Sequence, residues 1–155
     1  MKKWGMALIF IVCFVEVKAP VLWESFLEFR REFEVIKYLP FSEERMARYI
    51  EMKYSDFMYT DYLLRQARLE TGHYTSPIFR EGNNLFGMKH PRVRETLSKG
   101  SKRGHAYFEH WTESVDDYML WYKYYERLVG DCYYQFLNRV GYAEDKRYIS
   151  KLKLV

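Results

Sequence analysis

The sequence is poor in cysteine and lacks the spacings by which cysteine and histidine hold metals. Only Cys13 and Cys132 occur, and no CxxC, HExxH or histidine cluster is present. His73, His90, His105 and His110 are scattered, which suits exposed or hydrogen-bonded rings. The common zinc frameworks are therefore excluded, and no metal or organic cofactor is implied. A long apolar run is missing too. The stretch from Trp4 to Val15 falls short of the about 20 residues that a membrane helix needs. Linkers, internal repeats and low-complexity tracts are absent, so residues 20–155 read as one domain.

The short apolar run still carries information. "MKKWGMALIFIVCFVEVKAP" places two lysines before it, the charge and length of a signal peptide or short signal anchor. Residues 1–19 are thus expected to direct export, leaving the protein secreted, in the envelope or membrane-anchored. The alternative is a buried N-terminal helix. Val17-Lys18-Ala19 followed by Pro20 is a poor cleavage site. If the segment is removed, Cys132 is left alone and no intramolecular disulfide forms. Apolar residues make up 48% of the chain and aromatics 19%, which excludes a disordered protein. The net charge of +4 suits an anionic surface or polymer without naming one.

Helical patterns dominate. Leu22, Phe26, Phe29, Phe33 and Ile36 recur at helical spacing until Leu39-Pro40 stops the run. Ser42 is a good N-cap, with Glu43 and Glu44 in the first turn of the next helix and Met46 and Ile50 on its apolar side. A third helix is predicted from about Phe57 to Thr71, closed by Gly72. Residues 73–88 read as a loop, with turn chemistry at Ser76-Pro77 and Gly82-Asn83-Asn84. "RVRETL" and "HAYFEHW" flank the turn-rich "SKGSKRG", which predicts a β-hairpin over residues 92–110. Thr112, followed by Glu113, Asp116 and Asp117, opens a helix with Val115, Tyr118, Tyr122 and Tyr125 on one stripe. Gly130 breaks it. A helix near 131–139 ending at Gly141 and a last short helix follow. The fold class is α+β, mainly helical.

"LLRQARLETGHY" puts Glu70 almost at the end of the third helix. The helix dipole is negative there, and Glu70 shares a face with Leu63 and Ala67. Burial and dipole both disfavour the ionised carboxylate, so a raised pKa is expected. An acid still protonated near neutral pH can donate to a leaving-group oxygen, as glycoside hydrolysis requires. A buried glutamate paired with an arginine is the structural alternative.

"QARLETGHYTS", "NNLFGMK", "YFEHWTESVDDY" and "GYAEDKRYISKL" occur in this order over roughly residues 40–155. Together they resemble the glucosaminidase-type peptidoglycan hydrolases, glycoside hydrolase family 73. The resemblance implies a lysozyme-like fold and cleavage of the β-1,4 bond between N-acetylglucosamine and N-acetylmuramic acid. It implies Glu70 as general acid, in the family's Glu-Ser/Thr-Gly motif. The Asn-Asn-Leu-Phe-Gly motif matches Asn83 to Gly87, where the amides, Asn84 included, can brace the turn or a sugar. The Gly-Tyr-Ala-Thr-Asp motif matches Gly141 to Asp145, with Glu144 in place of threonine. Its Tyr142 is expected in the cleft, facing the substrate's acetamido group, with a structural tyrosine as the alternative.

The resemblance further implies a second carboxylate in the β lobe, often on the outgoing strand of the hairpin, where Glu95 is the best match. Glu109 lies on the return strand, and Glu113 is better explained as helix-start charge. The substrate's own N-acetyl group is another source of the nucleophile. Among Tyr74, Tyr107, Trp111 and Tyr118, aromatic faces on which sugars can stack, Tyr74 is the one expected in the cleft. Lys99, Lys102 and Arg103 at the hairpin tip are a solvated loop or a contact for anionic wall polymers. The partners implied are peptidoglycan strands, not nucleic acid, and the chain is expected to be a monomer. A muramidase or lytic transglycosylase on the same fold, and a non-catalytic wall-binding or assembly protein, remain alternatives.

Overall fold

The structure, a computed structural model, describes residues 19–130 and 132–155. The export segment expected at residues 1–19 therefore lies outside the described residues, apart from its last position. The chain divides into two units, Met1–Glu32 and Phe33–Val155. The first helix, α1 (Ala19–Ile36), begins in the first unit. Of the expected apolar stripe, Phe26 and Phe29 are 48% and 38% exposed there. In the second unit only the end of that stripe is used: Ile36 is buried, with Phe33 packed beside it.

The second unit is built from helices with one small sheet. Helix α2 (Glu43–Lys53) starts where Ser42 accepts a hydrogen bond from the Arg45 N–H, as its cap chemistry predicts. Helix α3 (Thr60–Thr71) begins later than predicted and ends at Gly72 in the left-handed conformation. The stretch read as loop contains a short helix, α4 (Pro77–Gly82), capped by Ser76 and opened by a proline. Helix α5 (Trp111–Tyr124) is capped by His110 rather than Thr112. A 3₁₀ turn (Glu126–Leu128), α6 (Tyr133–Arg139) and α7 (Tyr148–Leu152) complete the chain.

The hairpin exists but is displaced. Strands β1 (Gly100–Lys102) and β2 (His105–Tyr107) pair antiparallel, Ser101 opposite Ala106. Arg103 and Gly104 both take positive φ, the two-residue turn whose twist matches the strands. Half of the tract read as turn is thus the outgoing strand, and "RVRETL" is not a strand. The cause is Asp117. Its carboxylate accepts from both Arg94 Nη atoms (3.2 and 2.7 Å), the Thr96 hydroxyl (2.6 Å) and the Leu97 N–H (2.9 Å). Backbone and side chains that would serve a longer ladder are turned to this buried acid instead.

Two apolar clusters hold the unit. Met46, Ile50, Leu63, Ala67, Leu85, Phe86, Trp111, Val115 and Tyr118 form one. Tyr133, Phe136, Leu137, Tyr148 and Leu152 form the other, with Trp121, Tyr122 and Tyr142 packed against both. The result is the mainly helical α+β arrangement that the sequence predicts.

Candidate active site

Glu70 projects from the last turn of α3 into a groove of about 690 Å³. Its position follows from the helix end. Gly72, at φ +54°, returns its N–H to the Arg68 and Leu69 carbonyls, and His73 N–H bonds Arg68 O at 2.8 Å. Gly87, at φ +62°, crosses directly over the carboxyl. A Cβ there would lie 2.8 Å from Glu70 Oε2, so a glycine is needed both for the backbone angle and for the space. Burial pushes the Glu70 carboxyl above its ordinary range. The nearby Tyr148 hydroxyl and the charge of His105 oppose that shift.

The asparagine loop is the platform beneath. Asn84 is 1% exposed, and its Nδ2 donates to Met88 O (2.9 Å) and Ala106 O (2.7 Å). Its Oδ1 accepts the Phe86 and Met88 N–H groups, each at 3.2 Å. Of the two roles open to Asn84, the bracing one is visible in these four bonds. Leu85 N–H bonds Ser114 Oγ at 3.0 Å, and the Phe86 ring packs on Tyr118. Tyr142 lines the groove and donates its hydroxyl to Phe86 O at 2.8 Å. Burial, then neighbouring Tyr148 and Glu70, keep that hydroxyl protonated.

Tyr74 is elsewhere. It packs between Phe41 and Phe79, its hydroxyl donates to Glu43 at 2.5 Å, and it is not among the groove's lining residues. His73 and Tyr74 both have positive φ, and Thr71 Oγ accepts the Tyr74 N–H, which carries the chain away from the acid. Expecting Tyr74 in the cleft is corrected by that turn. Trp111 and Tyr118 are core, at 2% and 0% exposure. Besides Phe86 and Tyr142, the aromatics that line the groove are Trp121, Tyr124 and Tyr125, which the sequence reading did not assign there. Trp121 follows the buried Tyr118 by three residues near the end of α5, where the helix runs out of core. That spacing was the available signal.

Glu95 is exposed and lies in the irregular segment beside Arg94, not on a strand. Arg94 lines the groove and Glu95 does not. Glu109 is also outside it, close to Lys99, which bonds Glu113 more tightly at 3.1 Å. Glu144 is the carboxylate that shares the groove with Glu70 among the described residues. Lys89, Arg92 and Arg94 give the groove a cationic side. At the hairpin tip, Arg103 and Lys102 reach Glu81, so those cations are paired within the chain. A larger groove of about 920 Å³, beside Tyr54, Phe57 and Tyr122, has only the exposed carboxylates Asp56 and Glu126. It offers no half-buried acid.

The family model for glucosaminidase, described as mannosyl-glycoprotein endo-beta-N-acetylglucosaminidase, matches residues 46–155. The chain belongs to the glucosaminidase family. The match begins within α2 and runs to the last residue, so it takes in Glu70, the asparagine loop, the hairpin and Tyr142. Among curated relatives, Protein bax of Escherichia coli (strain K12) is 38% identical over 64 residues. That stretch is 41% of this glucosaminidase-family chain and 23% of the relative, so the chain spans less than a quarter of that protein's length. No solved structure matches it.

Proposed function

We propose that the protein is an endo-β-N-acetylglucosaminidase that cuts the β-1,4 bond between N-acetylglucosamine and N-acetylmuramic acid in peptidoglycan. The observation that carries this reading is a half-buried glutamate at a helix end, facing a groove lined by Trp121 and Tyr142. Glu70 is the general acid: it protonates the glycosidic oxygen as the bond to the anomeric carbon breaks. Trp121 offers a face to a sugar ring. Tyr142, its hydroxyl tied to Phe86 O, presents its ring edge to the acetamido side of the substrate. Lys89 and Arg92 suit the carboxylates of muramyl residues and their peptides.

Glu95 is the second carboxylate by its place in the family pattern, brought to the groove by movement of its exposed segment. Glu144 is the rival, because it already lines the groove. The enzyme works outside the cytoplasm, delivered by residues 1–19, as a monomer on glycan strands.

The test is a zymogram on purified cell walls with wild type and Glu70→Gln, followed by analysis of the products. Glutamine keeps shape and hydrogen bonding but has no proton to give, so hydrolysis should fall about 100- to 10,000-fold. New reducing N-acetylglucosamine ends support the reading. Anhydro-muramic ends would make the protein a lytic transglycosylase, and wall binding without cleavage by wild type would make it a binding protein.

A further inference from the structure

Helix α5 ends at the groove in a run of aromatic rings that the core only partly covers. Trp121, Tyr124 and Tyr125 line the same groove as Glu70. The Trp121 ring centroid is 5.1 Å from that of Tyr142, another lining residue, and 5.5 Å from that of Tyr125. Tyr125 is in turn 4.9 Å from Tyr124, at an interplanar angle of 86°. The rings therefore make one unbroken surface from Tyr142 to the end of α5. The backbone beneath them is fixed. Tyr125 N–H bonds the Trp121 and Tyr122 carbonyls at 3.2 and 3.1 Å, and the Tyr125 carbonyl accepts the Leu128 N–H at 2.8 Å.

Polar atoms separate this run from the aromatics of the core. Trp111 Nε1 is spent on Leu39 O at 3.0 Å, and the hydroxyls of Tyr49, Tyr54, Tyr118, Tyr133 and Tyr142 all have partners within the protein. No hydrogen bond of the described residues uses Trp121 Nε1 or the Tyr124 and Tyr125 hydroxyls. No buried side-chain nitrogen or oxygen there lacks a partner, so the Trp121 and Tyr125 atoms reach solvent. Tyr124 is 51% exposed. An apolar ring face with an unspent polar atom at its rim suits a sugar, whose C–H face can stack while its hydroxyls bond the rim. From Trp121 to Tyr125 is about one helical turn, roughly 5.4 Å along the axis, close to the length that one sugar adds to a β-1,4 chain.

We propose that Tyr124 and Tyr125 form a distal glycan subsite, which takes N-acetylated amino sugars of a β-1,4 strand beyond those flanking the bond at Glu70. The occupant is the strand being cut, because the aromatic surface is continuous with the groove that holds the acid. A platform already fixed on a helix end loses little freedom when the strand arrives. A strand gripped there lays an interior bond at Glu70, so the subsite favours cuts within long strands over cuts in short fragments. This inference rests on the reading of the protein as a glycosidase with Glu70 as its acid.

The experiment measures binding of peptide-free peptidoglycan strands by calorimetry. Glu70→Gln is used alone and with Tyr124→Ala, Tyr124→Phe or Tyr125→Ala added. One preparation is a tetrasaccharide, short enough to occupy the sites at Glu70 alone, and the other holds long strands. Long strands should bind Glu70→Gln about tenfold more tightly than the tetrasaccharide. Tyr124→Ala and Tyr125→Ala should each remove most of that advantage while changing tetrasaccharide affinity less than about twofold. Tyr124→Phe should keep most of it, because the ring remains. Equal binding of the two lengths by Glu70→Gln would overturn the inference. So would tyrosine variants that lose nothing, or that lose equally on both lengths, since a folding defect does not discriminate by length. Should Tyr125→Ala fail to fold, Tyr124→Ala, at a half-exposed position, decides alone. Turnover of the long strands by wild type and Glu70→Gln runs in parallel. Cleavage by Glu70→Gln at the wild-type rate would overturn the acid assignment, and no cleavage by wild type would overturn the glycosidase reading. In the second case the calorimetry still reports on the subsite.

Discussion

Helix α3 delivers Glu70 from a wall whose polar atoms are all paired inside the protein. The segment of residues 88–98, which completes the groove, is irregular and largely exposed. It is fastened at Met88, which Asn84 and the Ala106 N–H hold, and where Arg94, Thr96 and Leu97 converge on Asp117. Behind the acid, Gln66 bonds the hydroxyls of Tyr118, Tyr133 and Tyr148, and among the described residues no buried side-chain nitrogen or oxygen lacks a partner. The difference separates two demands on a glycosidase. Proton delivery needs a fixed group of tuned acidity, whereas gripping a polymer tolerates a wall that adjusts to it.

The comparison breaks most severely at the Asp117 fastening. Asp117→Asn leaves the Arg94 guanidinium, 6% exposed, without its counter-charge. It should cost about 3–5 kcal/mol of stability by urea denaturation. A ¹³C NMR titration of Glu70 in the variant that remains folded should be unchanged, because Asp117 is not among the groups that shift it. Next comes the second carboxylate. If the exposed segment moves in, Glu95→Gln should lower turnover about 100-fold while Glu109→Gln changes it little. Loss at Glu144→Gln instead would put that group on the helical side. Gly87→Ala should lower kcat about ten- to 100-fold, since its Cβ would meet Glu70 Oε2 and displace the carboxyl.

The smallest effect concerns stability against pH. The folded Glu70 carboxyl titrates above its ordinary value of 4.5, mainly because burial disfavours its charge. Between the unfolded and folded values the native state holds the extra proton. Stability from this group is therefore full below the unfolded value and is lost as pH rises through the folded one. Glu70→Gln should melt at a higher temperature than wild type at neutral pH. That gain should shrink as pH falls toward 4.5.

Where local chemistry decides the structure, the sequence was legible. Ser42 caps α2, Gly72 closes α3, and Glu70 lands at the helix end with the raised pKa its position predicts. Where a distant side chain decides, it was not. The hairpin was read too long because the Thr96 hydroxyl and Leu97 N–H look available to a strand, and nothing nearby in sequence says that Asp117, some 20 residues on, captures both. Asp117 itself looked like helix-start charge. Asn84 gave equal support to a sugar contact and to a brace until its four partners were visible. Tyr74 was misplaced by two successive positive φ angles that neither residue type advertises. Trp121 was missed because aromatics are so common here that helical spacing alone does not separate groove from core.

The knot at Asp117 also bears on how such an enzyme could be altered. Residues 89–93 run between two anchors: Met88, fixed by Asn84 and by the Ala106 N–H, and Arg94, fixed by Asp117. A stretch clamped at both ends and exposed between them behaves as a replaceable cassette. Its length and charge can be exchanged without retuning the acid, which makes it the place to graft a preference for one wall chemistry over another.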